Sequence, residues 1–351
     1  MVRYLSDIVR ALVIVCFCTQ LCVASDEESV KVGMVLPLSG PLAEMGAGVR
    51  RGVELYLADN PKAPLSFVFE DNKYDGKSTV TALHALRANK DVKFVVVWGN
   101  APCGAAAPVA EQQKLPMLAI SSNPDAKGRI FVVSFGPLLQ SLTGGIVDQL
   151  RSFGSRHPGA VTIDLGNALE AVELVNRDFE GAMFTKIVSS DEVDFKPIIS
   201  QLKTRSVDGI LLFLLPQQAL TFLKQARQLN YSPHVVGGDV FAVDSFRKEV
   251  LQLSDKVSFV YGAVDAAFRD RLSSSPEGSS YFFEVATGYS VAAMSVALAQ
   301  RWKSGTSSAD PLAQLTSLDL KGLPVSSIEF KEDDSFGRHF QVGVSVYPLV
   351  R

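Results

Sequence analysis

The sequence predicts an α/β protein made of two doubly wound, Rossmann-like units. Short apolar, β-branched runs alternate with amphipathic helical stretches through most of the 351 residues. The runs are continuously apolar rather than alternating, as in parallel strands covered on both faces. The alternation pauses near residue 135 and then restarts, which divides the chain into two units of ordinary domain size.

In the first unit, residues 32–36 form a strand that stops at Pro37, and "SGP" with a glycine-rich stretch leads into a helix. "LSFVFED" is a strand and "GKSTVTALHALRANK" a helix, followed by the buried strand "VKFVVVW", the helix "CGAAAPVAEQQK" and the strands "LPMLAI" and "IFVVSF". The second unit repeats the pattern, with helices at 138–153, 167–180, 195–205 and 217–229 and strands at 160–163, 183–188, 208–214 and 234–238. The remaining chain offers a long helix at 281–302, a small one at 311–317 and the hairpin "VSSIEFKEDDSFGRHFQVGVSVY". That is too little for a third domain, so the tail is expected to complete the first two.

Composition sets limits on function. Apolar residues make up 47% of the chain and charged residues 20%, which suits a globular protein. Net charge is −3 with no basic block, and nothing points to nucleic acid. The N-terminus reads as a cleaved secretory signal over residues 1–24, with Arg3 and Arg10, the apolar core "ALVIVCFC" and small Ala24 at its end. No later segment is read as long and apolar enough to cross a membrane. Of four cysteines only Cys103 lies beyond residue 24, so the mature chain forms no internal disulfide.

The motifs are mostly negative. Gly46, Gly48 and Gly52 miss the dinucleotide fingerprint by one residue and sit too far from the strand, so they are read as packing glycines that bring the helix close to its sheet. "DGKST" lacks the first glycine of a phosphate loop, and "GYSVA" has Ala where a nucleophile elbow needs Gly. His84, His157, His234 and His339 have no metal spacing, and "EDNKYD" is read as a solvated loop edge. No cofactor and no enzymatic activity are expected. Ligands of such sheets bind beyond the carboxyl ends of the strands, where helix N-termini favour anions.

"KVGMVLPLSGPLAEMGAGVRRGVELYLADN" resembles the start of periplasmic solute-binding proteins of the Leu/Ile/Val-binding type. "FEDNKYDGKSTVTALHAL", "FVVVWGNAPCGAAAPVAEQQKLPMLAISSNPD", "DFKPIISQLKTRSVDGILLFLLPQQALTFLKQARQLNY" and "VVGGDVF" extend the similarity over nearly the whole mature chain. The resemblance implies the type I periplasmic binding fold, two lobes joined by three hinge crossings near Phe135, Tyr261 and Gly322. Lobe one would take residues 30–135 and 262–322, and lobe two 136–261 and 323–351.

It also implies a function: capture of a small carboxylate-bearing ligand, like a branched-chain amino acid or an aromatic or aliphatic acid. The protein would be a periplasmic monomer delivering this ligand to the membrane permease of an ABC importer. A sensing receptor module on the same fold is the alternative, as is a degenerate member that binds nothing. Among the residues carried over, Asn100 and Cys103 lie on the first ligand loop and Ser121 and Ser122 on the second, as groups for the carboxylate. Cys103, at a helix mouth, is expected to be a reactive thiol that ligand protects. Asp239 follows the second-lobe "GG" where the family often accepts an ammonium. Met45 replaces a covering aromatic, and Leu165 and Leu214 replace polar positions, which implies an apolar ligand body.

Overall fold

The computed structural model describes residues 29–349, apart from 90, 304–311, 313, 314, 316 and 317. The expected signal over residues 1–24 and most of the expected small helix over 311–317 lie outside the described residues.

The described strands form two sheets. In the first, β1 (Val30–Leu36), β2 (Leu65–Asp71), β3 (Phe94–Trp98), β4 (Met117–Ile120) and β5 (Val132–Gly136) run parallel in the order β2-β1-β3-β4-β5. The helices between them are α1 (Ala43–Asp59), α2 (Gly76–Asn89) and α3 (Asn100–Gln113). After α4 (Leu139–Ser152), the second sheet takes β6 (Pro158–Ile163), β7 (Phe184–Val188), β8 (Gly209–Phe213), β9 (His234–Gly237) and β10 (Val257–Gly262), parallel in the order β7-β6-β8-β9-β10. Helices α5 (Gly166–Asp178), α6 (Lys196–Thr204), α7 (Pro216–Gln228) and α8 (Asp244–Leu253) connect these strands. The strand order reverses between β1 and β3 in one sheet and between β6 and β8 in the other. These are the two places where a doubly wound sheet opens a crevice for a ligand.

The tail departs from the sequence expectation. Helix α9 (Ala266–Ser273) touches α10 (Phe282–Lys303), and α10 packs on α1. The hairpin then splits. Strand β11 (Glu329–Asp333) pairs antiparallel with β12 (Gly337–Gln341), and β12 runs parallel to β5 in the first sheet. Only β13 (Val344–Pro348) joins the second sheet, antiparallel to β10. Residues 329–341 therefore belong to lobe one rather than lobe two. The third crossing is Val342–Gly343, not near Gly322. The "DDSFG" turn reads as an ordinary hairpin, and sequence gives no sign that its far strand continues into another sheet.

The three crossings lie side by side. Val342 N–H donates to Gly136 O at 3.1 Å, and Ala263 N–H donates to Gly343 O at 2.8 Å. Tyr347 Oη, from β13, donates to Gly262 O at 3.0 Å and accepts Val264 N–H at 3.3 Å. These bonds tie the crossings to one another beside the cleft.

The glycines of α1 serve packing, but against a different partner than the sheet. A Cβ on Gly52 would lie 2.0 Å from Val285 O of α10, and one on Gly288 would lie 2.0 Å from Val49 O of α1. A Cβ on Gly46 would lie 2.1 Å from Pro37 O. The two helices thus touch backbone to backbone. Residues 282–300 of α10 are also long and apolar enough to cross a membrane, contrary to the sequence reading, but most of that stretch is buried inside the fold. Its apolarity serves the core: Phe282, Val285, Ala286, Val291, Ala292 and Leu298 are buried there.

Candidate functional site

A cavity of about 440 Å³ opens between the lobes, within the range of roughly 300–1,000 Å³ common for small-molecule sites. Both switch points face it. Pro41 and Leu42 after β1 and Gly99 and Asn100 after β3 line one side, and Ile163, Leu165, Leu214 and Leu215 after β6 and β8 line the other. Trp98, Phe135, Leu139, Leu142, Ile146, Phe213 and Val260 add carbon surface around these ends. Leu165 is 52% exposed and Leu215 39%, and both present their carbon surface to the cavity. Each immediately precedes the first residue of a helix, α5 and α7.

On the lobe-one side the polar groups are knitted together before any ligand arrives. Gly99, with φ of 102°, turns the chain from β3 into α3 so that Asn100 opens the helix over β4. Asn100 Oδ1 accepts the Ser121 hydroxyl at 3.0 Å and Ser122 N–H at 3.0 Å. Ser121 Oγ in turn accepts Asn123 N–H at 3.0 Å, so that hydroxyl is engaged on both sides. Ser122 Oγ accepts from Asn100 Nδ2 at 3.0 Å, and its proton is free to turn to Asn100 Oδ1 at 3.3 Å or to the cavity. Ser122 is therefore the hydroxyl of this pair that a ligand can use.

Tyr74 occupies the mouth of α3. Asp71 accepts the N–H groups of Leu38, Ser39 and Lys73, and Asn72 Oδ1 accepts Tyr74 N–H, which fixes the turn after β2. Lys73 and Tyr74 both adopt left-handed φ, 53° and 61°. That double kink lays the Tyr74 ring on Gly99, where a Cβ would meet Cε2 at 2.4 Å. Burial raises the Tyr74 pKa, while hydrogen bonds from the N–H groups of Ala101 and Asn100 oppose that rise. The Tyr74 phenol thus stands at the amides that a ligand carboxylate was expected to use. "EDNKYD" is the scaffold of this arrangement rather than a solvated edge.

Two carboxyl groups from opposite lobes also face the cavity. Asp239 begins the turn after β9. It is open to the cavity, yet protein surrounds it, and loss of bulk water raises its pKa against the pull of the Val240 N–H. Glu284, in the first turn of α10, is 4% exposed and lines the same cavity. The Tyr261 hydroxyl of β10 donates to Glu284 Oε2. Burial first, and then the field of Asp239, push the Glu284 pKa up to about 8 against the Tyr261 bond. Tyr281 and Phe283 also line the cavity. No Lys, Arg or His lines the cavity among the described residues.

Of the residues singled out in the sequence, Met45, Asn100, Ser121, Ser122, Leu165, Leu214 and Asp239 line the cavity. Cys103 does not. It is 0% exposed in the lobe-one core, and its thiol donates to Val97 O at 3.2 Å. Burial drives its pKa well above that of a free thiol, with Asp125 adding to the effect. The helix begins at Asn100, so Cys103 sits one turn inside it and faces the sheet, not the mouth. Tyr74, Trp98, Tyr281, Phe283 and Glu284 are not singled out by the sequence, and Tyr261 is named there only for a hinge crossing. Glu284 had a legible signal: it is the one charged residue in the apolar run from 282 to 300.

Two doubly wound lobes, three adjacent crossings and a cavity at both switch points define a hinged binding protein. A model of the periplasmic binding protein family matches residues 29–342, and the chain belongs to that family. Membership implies an extracytoplasmic location. The fold is similar to a leucine-binding protein from Thermotoga maritima, at 18% identity and TM-score 0.72, covering 90% of this chain and 94% of that one. It is also similar to a fatty acid ABC transporter substrate-binding protein from Thermomonospora curvata (17%, TM-score 0.68, 92% and 93% covered). A third similar structure is a solute-binding protein from R. palustris in complex with benzoate (15%, TM-score 0.69, 92% and 93% covered).

Proposed function

We propose that the chain captures a small zwitterion with a large apolar body, an amino acid of hydrophobic or aromatic type, and releases it to an ABC importer. The observation that carries this is the lining of the cavity: an apolar wall with the carboxyl groups of Asp239 and Glu284 and, among the described residues, no cationic side chain. Relatives of the same fold are described with leucine, fatty acid and benzoate. A bare anion such as the last two would lie against two acids with no cation to offset them, which costs binding energy. A zwitterion places its ammonium at Asp239 and its carboxylate near Ser122.

In this reading the protein does no chemistry. Ligand contacts to both lobes favour the closed state, and closure about the crossings retains the ligand. The protein acts as a periplasmic monomer whose mature chain begins at Ser25.

Calorimetry with phenylalanine, leucine, phenethylamine and 3-phenylpropanoate tests this. Phenylalanine or leucine should bind more tightly than 3-phenylpropanoate. Ser122→Ala should weaken the amino acid by roughly 10- to 150-fold, the loss expected for a hydrogen bond to a charged group. Preference for the acid over the amino acid would overturn the reading.

A further inference from the structure

Glu284 differs from the rest of the cleft. It reaches the cavity from α10, a helix formed late in the chain that packs on α1 of lobe one. Its partner Tyr261 belongs to lobe two, and Asp239 faces the same cavity from lobe two as well. We propose that Glu284 reads the charge of the ligand: it holds a proton while the cleft is empty and releases it to solvent when an ammonium group enters beside Asp239. This rests on the reading of the cleft as a zwitterion site and adds a residue and a coupled proton to it.

The surroundings of Glu284 leave it few other options. From β10 it meets the Tyr261 hydroxyl, and from the turn after β9 the Asp239 carboxylate. Tyr281 precedes it on its own segment, and Glu44 of α1 lies near Tyr281. Directly opposite, α1 presents Gly48, where a Cβ would approach the Glu284 Cβ at 3.0 Å. These neighbours are phenols and acids; no guanidinium or ammonium bonds Glu284. Of two carboxyl groups that repel each other when charged, Asp239 is open to the cavity and Glu284 is buried, so the proton stays on Glu284. That agrees with its pKa of about 8.

A cation reverses the balance. With an ammonium between them, both acids favour the charged form. The Glu284 O–H bond breaks, the proton leaves through the cleft to water, and Tyr261 keeps its hydrogen bond to the anion. The bound ammonium then contacts one carboxylate from each lobe, so it draws the lobes together. A neutral isostere offers no such gain, and an anion opposes it.

The experiment is calorimetry of the intact protein with phenylalanine and with phenethylamine, in buffers of differing ionisation enthalpy at pH 7. Binding should release about one proton per site, and affinity between pH 6 and 8 should rise by up to about tenfold per pH unit. In Glu284→Gln, which keeps the side-chain volume and an acceptor for Tyr261, the proton release should vanish and the pH dependence flatten. A purely structural Glu284 would move neither quantity. Binding of phenylalanine by the wild-type protein with no proton released would overturn the proposal and leave the zwitterion reading standing. Tighter binding of 3-phenylpropanoate than of phenylalanine would overturn the reading on which it rests.

Discussion

The Tyr261 hydroxyl and the Glu284 carboxyl share a hydrogen bond that runs from the last parallel strand of lobe two to the helix that completes lobe one. Both groups are buried, so the bond is shielded from water and from salt.

This pair predicts how stability responds to pH. The Glu284 pKa is raised from an ordinary 4.5 to about 8 in the folded protein. A carboxyl raised in this way contributes its stability in full below the unfolded pKa and loses it as pH climbs through the folded one. Asp239 is shifted in the same direction. The ligand-free protein should therefore melt at progressively lower temperature from about pH 5 to pH 8 and level off above. Differential scanning calorimetry across that range checks this. Glu284→Gln should flatten the profile, and a wild-type profile that rises over the window would refute the assignment.

Tyr74→Phe separates the two views of the lobe-one helix mouth. Removing the phenol oxygen frees the N–H groups of Asn100 and Ala101, which then suit an anion. Affinity for 3-phenylpropanoate should increase by about tenfold, the effect of one good hydrogen bond to a charged group. An unchanged affinity, measured by titration calorimetry, would show that the anion does not reach these amides.

Gly52→Ala and Gly288→Ala should each destabilise the protein by about 3 kcal/mol or more, since the added methyl meets rigid backbone and not a side chain that can turn away. Gly166→Ala, where a Cβ meets nothing within 4 Å, is the control and should be close to neutral. Urea denaturation measures all three. Similar midpoints for Gly52→Ala and the control would contradict the close approach of α1 and α10.

The Cys103 thiol should be silent toward a small thiol reagent in the native protein, with or without phenylalanine, and react fully once the chain is denatured. Burial and the raised pKa both act against the thiolate. Labelling rates followed by mass spectrometry decide this, and rapid native labelling would return Cys103 to the cleft.

The parallel sheets were legible because their strands are buried on both faces and write continuous apolar runs, as in Phe94–Trp98 and Gly209–Phe213. Strand β12 was harder to place. "GRHFQ" carries Arg338 and His339, both buried, and it lacks the continuous apolar run that marks the other inner strands, although the chain returns to β5 there. In the cleft, Leu165 and Leu214 stood out only through the family resemblance, in which they replace polar positions. Tyr74 reaches the cleft only through two left-handed residues, and propensity alone does not foresee that geometry. Cys103 was misplaced by one helical turn, because "NAPCG" looks like a loop and is the first turn of α3.

Lobe one is written at both ends of the chain, and that sets a schedule. Its edge strand β5 gains its neighbour only when residues 337–341 exist, and the glycine face of α1 stays bare until α10 has been made. A growing chain of this protein thus carries an open helix groove until α10 has been made and an unsatisfied sheet edge until residue 341 has been made. Contacts between residues so far apart in sequence form slowly. Lobe one thus cannot close until its most distant strand exists.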